Sequence, residues 1–356
     1  MQIRKPKHNY MEVAELYNPD WIMPDVIHGE NLIRQATDTS EKYAVLTMEI
    51  PWDLVKNEVK NPPAAVVFVP DMKKETMEQI LLGLPDGLEM VIGLGGGTAH
   101  DSAKYMALKK NLRVVLMPTI FGGDAAACDS VGLRVDGKVQ YIGNVDVDKI
   151  FLDFDVIRKA PSDLVIYGVG DILSTYTAQL DWKHCVSVGK AKPNDDIQHH
   201  IQSYILDSLR KAADDIRNLT NDGILTIMDL YLENMRLIHN HKDIFTQEAS
   251  EHFFAYNMEY VTGRTFIHGK LLALGIFISA AFLHNKRNEV EDYFKALGLD
   301  YDLATVGLSE DELRRVLQTQ LDFVRSDPVT YFHTKINDSE FTPEFVDYVC
   351  AEVVSL

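Results

Sequence analysis

The sequence of 356 residues has few cysteines, no long apolar run and a deficit of basic residues. Its three cysteines form no C-x-x-C pair and are odd in number, which argues against a disulfide framework and favours a reduced, cytoplasmic protein. No apolar segment follows the basic N-terminal residues, so we expect no signal peptide. The longest apolar stretch, Leu271–Leu283, is shorter than the roughly 20 residues of a membrane span and predicts a buried core helix.

The charge balance is strongly acidic, with 35 basic residues against 53 acidic ones and a formal net charge of −18. Such a surface repels phosphate backbones and anionic lipids, so neither nucleic-acid binding nor membrane insertion is expected. A small anionic substrate remains compatible, because a few local cations or backbone amides can outweigh a distant net charge. The 46% hydrophobic and 25% charged fractions are typical of a globular protein, and the length favours two domains.

Short apolar runs alternate with amphipathic segments over roughly the first 150 residues. The candidate strands are rich in Val, Ile and Leu and are Tyr43–Leu46, Ala64–Val69, Met90–Leu94, Val114–Met117 and Ile150–Leu152. Several lack polar alternation, which is typical of parallel strands covered on both faces. The pattern predicts a doubly wound α/β domain over residues 1–161.

From about Pro161 onward the apolar residues recur at intervals of three and four, as on amphipathic helices. The predicted helical segments are Ile201–Ile216, Ile224–Ile238, Glu251–Tyr260, His268–Leu283 and Glu310–Val324. No convincing strand occurs among them. The sequence therefore predicts an all-α domain over residues 162–356, with a boundary at the helix-start signal near Ser162.

A glycine cluster follows one of the predicted strands and leads into a helix-forming stretch. It reads Val91-Ile92-Gly93-Leu94-Gly95-Gly96-Gly97-Thr98, with four glycines in five residues. Glycines let a backbone approach a pyrophosphate closely, and the following helix offers N–H groups at its positive end. A tight turn without a ligand is the alternative, since the spacing is not that of the Rossmann fingerprint G-x-G-x-x-G.

Residues 95–104, G-G-G-T-A-H-D-S-A-K, resemble the dinucleotide-binding turn of the iron-containing alcohol dehydrogenase and dehydroquinate synthase superfamily. The resemblance implies the dehydroquinate synthase-like fold, an α/β N-terminal dinucleotide-binding domain followed by an all-α C-terminal domain. It also implies an NAD or NADP site, whose predicted residues are Gly95, Gly96, Gly97, Thr98 and Asp101. Lys104 matches the family as well, and so far into a helix it is expected on a solvated face.

A second element of the same superfamily follows the next predicted strand. Thr119 and Asp124 match its P-T-x-x-x-x-D segment, which implies that Thr119 lies near the cofactor and that Asp124 contacts a substrate hydroxyl. Gly123 stands where the family usually has a polar residue, and an aspartate in a glycine-rich loop is otherwise a common turn former. Glu49, placed at the end of the first predicted strand, is a candidate for the adenosine ribose hydroxyls, which would favour NAD over NADP.

The helical half contains a candidate metal site of one carboxylate and two imidazoles: Asp171, His252 and His268. Three such ligands leave open positions for water or a substrate oxygen and suit Zn²⁺ or another divalent first-row ion. By themselves histidines are weak evidence, since most are packed or solvent-facing. The contexts G-x-G-D, S-E-H and H-G, in this order, resemble the three metal ligands of the superfamily. One divalent ion is therefore expected, with Zn²⁺ favoured over Fe²⁺ or Ni²⁺.

Residues 168–183, G-V-G-D-I-L-S-T-Y-T-A-Q-L-D-W-K, resemble one branch of that superfamily, the glycerol-1-phosphate dehydrogenases. Thr175 replaces the usual Lys of this segment, and Lys270 stands where H-G-E is usual. The branch implies metal-dependent, NAD(P)-linked interconversion of glycerol 1-phosphate and dihydroxyacetone phosphate, with Asp124, Asp171, His252 and His268 as catalytic residues and a homo-oligomeric assembly. A dehydrogenase acting on an unphosphorylated polyol and a dehydroquinate synthase-like cyclase are the alternatives, and Asp171 favours the dehydrogenases because the cyclases normally have Glu there.

No motif locates a substrate phosphate. The candidates are cationic or protonatable side chains of the helical half, namely Lys183, Arg264, Lys270 and His333. Each is also compatible with an ordinary surface position.

Overall fold

The computed structural model describes residues 21–241, 247–326 and 341–355. The described residues form two compact units that divide between Val165 and Ile166. The domain ranges 1–161 and 162–356 stay a prediction for the whole chain.

A parallel six-stranded sheet forms the centre of the N-terminal unit, with the strand order β1-β8-β5-β4-β2-β3. Its strands are β1 (Asp25–Gly29), β2 (Tyr43–Thr47), β3 (Ala65–Phe68), β4 (Met90–Gly95), β5 (Arg113–Pro118) and β8 (Lys149–Asp153). The helices of this unit and of the segment leading to the next are α1 (Leu32–Ala36), α2 (Glu49–Val55), α3 (Lys74–Gly83), α4 (Gly97–Lys110), α5 (Phe154–Lys159) and α6 (Ser162–Ile166).

The predicted α/β architecture is confirmed, and burial explains why the apolar runs identified its central strands. Tyr43 and Val45 pack into one core with Ile92 and Val115 of neighbouring strands. Their neighbour Leu46, which faces the other side of the pleat, is fully buried as well. Since both faces are covered, these strands carry continuous apolar sequence instead of alternation.

Three strands were missed by the sequence prediction: β1, β6 (Ser130–Val135) and β7 (Lys138–Asn144). The last two form a separate antiparallel hairpin. They are joined by Asp136 and Gly137, both at positive φ (50° and 77°), and an Asp-Gly pair at such angles is typical of a tight hairpin turn. β1 has only five residues and is partly exposed at the edge of the sheet, so its apolar signal is weak.

The C-terminal unit is helical throughout its described residues, as predicted. Its helices are α7 (Val169–Ser187), α8 (Asp195–His200), α9 (Asp207–Lys211), α10 (Ala213–Arg217), α11 (Asn221–His241), α12 (Ser250–Thr262), α13 (His268–Ile278), α14 (Arg287–Leu297), α15 (Leu303–Val306), α16 (Glu310–Ser326) and α17 (Pro343–Val354). The predicted segment Ile201–Ile216 is broken into a π-helical stretch, Ile201–Leu206, followed by α9 and the start of α10. No glycine or proline marks these breaks, so periodicity alone did not locate them.

The apolar run Leu271–Leu283 forms most of α13 and a π-helical continuation, Ser279–Leu283. Leu271, Leu274 and Phe277 are fully buried, which confirms the prediction of a core helix. Within the described ranges, no helix combines the length and the apolar character that crossing a membrane would require.

Asp153, the last residue of β8, joins three elements of the N-terminal unit. Its buried carboxylate accepts hydrogen bonds from the backbone N–H groups of Asp155 (3.1 Å) and Val156 (3.3 Å) and so caps α5. It also accepts one from the N–H of Leu32, at the start of α1 (2.6 Å). One carboxylate therefore satisfies N–H groups at the amino ends of two helices.

We expect Asp153→Ala to lower the free energy of unfolding by about 2–4 kcal/mol, because a helix cap and a buried N–H acceptor are lost together. Urea denaturation followed by far-UV circular dichroism measures the change. Asp155→Ala is the matched control, since Asp155 lies in the first turn of the same helix but is 44% exposed, and it should cost less than about 1 kcal/mol. Equal losses in the two variants would contradict the capping role of Asp153.

Candidate metal centre and nucleotide-binding turn

The predicted dinucleotide turn lies where β4 ends and α4 begins. Gly95 has a φ of +148°, and the N–H groups of Ala99 (3.0 Å) and His100 (3.1 Å) donate to the carbonyl of Gly96. A Cβ added at Gly96 would lie 2.9 Å from Cδ1 of Ile120, so a side chain there would have to displace the end of the Ile120 side chain. Gly97 and Thr98 open a helix of 14 residues and are half-buried. The first N–H groups of a helix have no acceptor within it, and this backbone fits the approach of a pyrophosphate.

The P-T segment lies directly beside this turn. β4 and β5 are neighbours, and the N–H of Thr119 donates to the carbonyl of Gly95 at 2.9 Å. Asp124 begins a short 3₁₀ turn, Asp124–Ala126, and is half-buried. The Cβ of Ala125 lies 3.6 Å from the Cβ position of Gly97. The structure therefore brings the Thr119 and Asp124 segment together with the glycine turn.

Glu49 is the first residue of α2 and is exposed. The strand before it is the second in the chain and ends at Thr47, so the predicted position at the end of the first strand was wrong. Met48, the residue before Glu49, has its terminal carbon 3.4 Å from the Cβ position of Gly95. The side chain of the residue next to Glu49 therefore reaches the turn, while the contact of Glu49 with a ribose stays a prediction.

Lys104 is fully buried, and the expectation of a solvated position was wrong. Its Nζ donates to the carbonyls of Cys128 (3.0 Å) and Ser130 (2.7 Å) and pairs with Asp101 at 2.8 Å. Burial opposes the charge of Lys104, but the Asp101 carboxylate outweighs it and raises the lysine pKa above its ordinary value. The error has a structural reason: the hairpin that the sequence prediction missed covers this face of α4.

The pairing also bears on the predicted role of Asp101. Its carboxylate binds Lys104. Contact between Asp101 and a cofactor therefore stays a prediction. The contacts of Lys104 with Asp101, Cys128 and Ser130 instead connect α4 to residues 128–130, which is a structural role.

We expect Lys104→Met to lower the free energy of unfolding by about 3 kcal/mol, because removing one partner of a buried ion pair leaves the other polar groups uncompensated. Chemical denaturation measures this, and NADH titration of the folded variant should show weakened binding because the turn and the Asp124 segment lose their tie. Lys109→Met, on the exposed end of the same helix, is the control. Wild-type stability in Lys104→Met would refute the structural role.

The three predicted metal ligands meet in the C-terminal unit although they come from three helices. Asp171 lies in the first turn of α7, His252 in the first turn of α12, and His268 is the first residue of α13. One ligand atom from each lies within 4.8 Å of the other two. Asp171 and His252 are buried, whereas the His268 side chain is 29% exposed. Among the three ligand residues, His268 is therefore the one whose side chain has contact with solvent.

Two of the three ligand separations in the cluster fit a tetrahedral ion. Oδ1 of Asp171 lies 3.4 Å from Nε2 of His268 and 3.5 Å from Nε2 of His252. Charge-assisted N–H···O bonds are shorter, about 2.7–2.9 Å. Two ligands of a tetrahedral ion with bonds of 2.0–2.2 Å lie about 3.3–3.6 Å apart, and both distances fall in this range.

The electrostatics of the cluster favour a positive charge at its centre. Burial by itself raises the pKa of Asp171, but His268 and His252 outweigh it and hold the pKa well below its ordinary value. Burial lowers the pKa of His252, yet the neighbouring carboxylates of Asp171 and Glu251 outweigh it and hold the pKa well above its ordinary value. A proton on an imidazole or a divalent ion supplies that charge, and the donor set of one carboxylate and two imidazoles suits the ion.

Close backbone packing sets the distance between the ligand helices. A Cβ added at Gly269, next to His268, would lie 1.9 Å from the carbonyl oxygen of Tyr167. A Cβ at Gly275 would lie 2.5 Å from the carbonyl oxygen of Glu251, next to His252. Real Cβ atoms do not approach an oxygen this closely, so glycine at both positions lets α13 lie directly against the backbone that carries the other ligands.

We expect Gly269→Ala to displace His268 and to weaken Zn²⁺ binding more than about tenfold, with a loss of about 3 kcal/mol in stability from overpacking. Competition with a chromogenic chelator measures the affinity. Gly83→Ala is the control, because a Cβ at this last residue of α3 meets nothing within 4 Å. Unchanged zinc affinity in Gly269→Ala would mean that this contact does not set the ligand spacing.

Sequence reasoning missed a second buried carboxylate that fixes the start of α12. Oδ2 of Asp181, on α7, accepts hydrogen bonds from the N–H (2.9 Å) and the hydroxyl (2.5 Å) of Ser250, and its Oδ1 lies 2.6 Å from Nε2 of His284. Asp181 and Ser250 are both part of the motifs quoted above. Asp181 and Ser250 are 69 positions apart in the sequence, so no local sequence pattern predicts their hydrogen bonds.

Three of the four candidates for a phosphate site lie within the described residues, and each has different surroundings. Lys183 is exposed, and Arg264 is engaged by Glu312 (2.8 Å) and by the carbonyl of Gly307 (3.0 Å). Lys270 lies in the first turn of α13, two residues after His268, with its Nζ 4.8 Å from the centre of the Tyr167 ring. His333 lies outside the described residues.

The sequence matches the family described as iron-containing alcohol dehydrogenase over residues 26–161. Among curated relatives, the glycerol-1-phosphate dehydrogenase, NAD(P)+, of Aeropyrum pernix is 24% identical over 262 residues, which cover 73% of this chain and 74% of the relative. The protein of the same name from Sulfolobus acidocaldarius is 24% identical over 278 residues, 77% of this chain and 78% of the relative.

Solved structures resemble the chain over nearly its whole length. A probable glycerol dehydrogenase from Sinorhizobium meliloti 1021 has a TM-score of 0.71 at 18% identity, covering 94% of this chain and 99% of that one. The glycerol dehydrogenase of Schizosaccharomyces pombe has a TM-score of 0.70 at 21% identity, covering 95% and 91%. The chain therefore shares the fold of these two structures, a parallel α/β unit followed by a helical unit. The chain is thus similar to iron-containing alcohol dehydrogenases in sequence over residues 26–161 and in fold over nearly its whole length.

Proposed function

We propose that the chain is a metal-dependent, NAD(P)-linked dehydrogenase that interconverts glycerol 1-phosphate and dihydroxyacetone phosphate. The observation that carries the proposal is the cluster of Asp171, His252 and His268, whose ligand atoms lie within 4.8 Å of one another. The cluster occurs in a chain whose curated relatives are named glycerol-1-phosphate dehydrogenase.

The cofactor is assigned to the glycine turn. We propose that Gly95, Gly96, Gly97 and Thr98 hold the pyrophosphate of NAD or NADP, with Thr119 beside them and Glu49 toward the ribose. The proposal is supported by the three glycines at the turn, which carry no side chain, by the helix that starts there and by the backbone hydrogen bond from Thr119 to Gly95. One divalent ion completes the site, with Zn²⁺ favoured and Fe²⁺ or Ni²⁺ as alternatives.

When bound, the ion supplies a Lewis acid for the C2 oxygen of the substrate, and the nicotinamide supplies or accepts the hydride. The side chains provide position and charge. Asp171 is held as a carboxylate, since its pKa lies well below the ordinary value, and His252 is fixed by buried partners. His268 is the ligand with solvent contact. We assign to Asp124 the orientation of a substrate hydroxyl or the relay of a proton.

A second candidate is a dehydrogenase of unphosphorylated polyols. It is favoured by the state of the basic side chains, since Arg264 is paired with Glu312 and Lys183 is exposed. The two solved structures described above are also named glycerol dehydrogenases. A dehydroquinate synthase-like cyclase is disfavoured by Asp171 in the first ligand position. A cytoplasmic location and a homo-oligomeric assembly stay predictions.

The test is oxidation of NADH and NADPH by the Zn²⁺-loaded protein with either dihydroxyacetone phosphate or dihydroxyacetone, followed by the absorbance of the reduced nicotinamide. We expect turnover with the phosphate ester, loss of activity with a chelator and recovery with Zn²⁺. His252→Ala should lose bound metal and turnover together, whereas His199→Ala, at an exposed histidine of α8, should keep both.

Each other outcome has its own meaning. Turnover with dihydroxyacetone alone would establish the second candidate. Phosphate release without net NADH consumption, from a cyclase substrate, would indicate a cyclase. Full activity in His252→Ala would refute the metal site itself.

A further inference from the structure

A fully buried carboxylate lies directly behind one of the metal ligands. Glu251, the second residue of α12, is 0% exposed. Its Oε1 accepts a hydrogen bond from the N–H of Ala249 (2.8 Å) and lies 2.9 Å from Nδ1 of His252. Its Oε2 accepts a hydrogen bond from the hydroxyl of Thr177 on α7 (2.7 Å). Both oxygens of Glu251 are therefore engaged, and neither points into solvent.

The contact with Nδ1 decides which nitrogen of His252 is available. A neutral imidazole has one protonated and one unprotonated nitrogen, and a carboxylate partner holds the proton on the nitrogen that faces it. Glu251 therefore holds the proton on Nδ1, and the lone pair lies on Nε2. This is the atom that lies 3.5 Å from Oδ1 of Asp171, on the side of the cluster.

Charge balance points the same way. Asp171 and Glu251 place two carboxylates on opposite nitrogens of the His252 ring, both buried. A proton on His252 offsets only one of these two negative charges, and a second proton would have to lie on His268, whereas one divalent ion would offset both. A buried uncompensated charge is strongly unfavourable, so the second carboxylate favours a dication at the cluster.

We propose that Glu251 and Thr177 are positioning residues of the metal centre. Glu251 fixes the tautomer and the ring orientation of His252 and adds the second negative charge, and Thr177 fixes Glu251 from α7, the helix that also carries Asp171. The inference rests on the metal site of the proposed function and deepens it, because it states what makes the site selective for a divalent cation.

The test is the Zn²⁺ affinity of the full-length protein, measured by competition with a chromogenic chelator, together with the visible spectrum of the Co²⁺-substituted protein. Glu251→Gln keeps the shape but removes the charge, and we expect Zn²⁺ affinity to fall about 10–100-fold with an altered Co²⁺ spectrum, as for other outer-shell partners of ligating histidines. Thr177 contacts Glu251 and not His252 itself, so we expect Thr177→Val to lower the Zn²⁺ affinity by less, below about tenfold.

The chain offers a matched control for the threonine. Thr175 lies on the same helix and is equally buried, and its hydroxyl donates to the carbonyl of Ile172 at 2.7 Å, a contact within α7. Thr177 makes a comparable contact with the carbonyl of Ser174 (3.0 Å) and in addition reaches Glu251. Thr175→Val should therefore leave metal affinity unchanged, and Thr177→Ser, which keeps the hydroxyl, should restore most of the affinity that Thr177→Val loses.

Circular dichroism of the metal-free variants identifies any that do not fold. If Glu251→Gln is among them, the comparison of Thr177→Val, Thr177→Ser and Thr175→Val decides the question. Wild-type affinity and spectrum in folded Glu251→Gln, or equal losses in Thr175→Val and Thr177→Val, would overturn the inference while leaving the metal site intact. Failure of the wild-type protein to bind a stoichiometric divalent ion would instead overturn the proposed metal site, and the inference with it.

Discussion

The direct contact of the α13 backbone with the segments that carry the other two ligands is the constraint on which the candidate metal centre depends. Gly269 lies against the carbonyl of Tyr167, four residues before Asp171, and Gly275 lies against the carbonyl of Glu251, next to His252. A metal site tolerates little error, because ligand atoms must lie within a few tenths of an ångström of their distances. Helices separated by side chains adapt to substitutions, whereas backbones in contact do not. The two glycines thus hold the three ligand residues, which are distant in sequence, in one fixed arrangement.

That arrangement places unusual charge inside a helical unit. Asp171, Asp181 and Glu251 are all buried, and burial of a carboxylate is unfavourable unless hydrogen bonds and opposite charge compensate it. Asp181 is compensated by Ser250 and His284, and Glu251 by Thr177, Ala249 and His252. Asp171 faces two imidazoles at distances too long for strong hydrogen bonds. A cation at the proposed site would add to the charge compensation of Asp171, which would couple the stability of this region to the proposed function.

Much of this organisation was predictable because it is encoded locally. Buried parallel strands such as β2 and β4 carry continuous apolar runs, and the three ligands lie in short motifs. What sequence reasoning missed is non-local. β6 and β7 pair with each other apart from the main sheet, and Lys104 is buried because that hairpin covers α4. Thr177 reaches His252 through Glu251, and the hydrogen bond between Thr177 and Glu251 joins residues that are 74 positions apart in the sequence. A periodicity argument assigns a face to solvent without knowing which later segment will cover it.

Two departures from the family pattern, Thr175 and Lys270, lie outside the three-ligand cluster. Thr175, in place of a family lysine, bonds only the carbonyl of Ile172 among its described hydrogen bonds, and Lys270, in place of a family glutamate, lies over the Tyr167 ring. The two departures therefore lie outside the ligands, the glycine contacts and the buried carboxylates. Since a fold and a metal site do not by themselves fix the substrate, a difference in substrate would require no change in the proposed metal site.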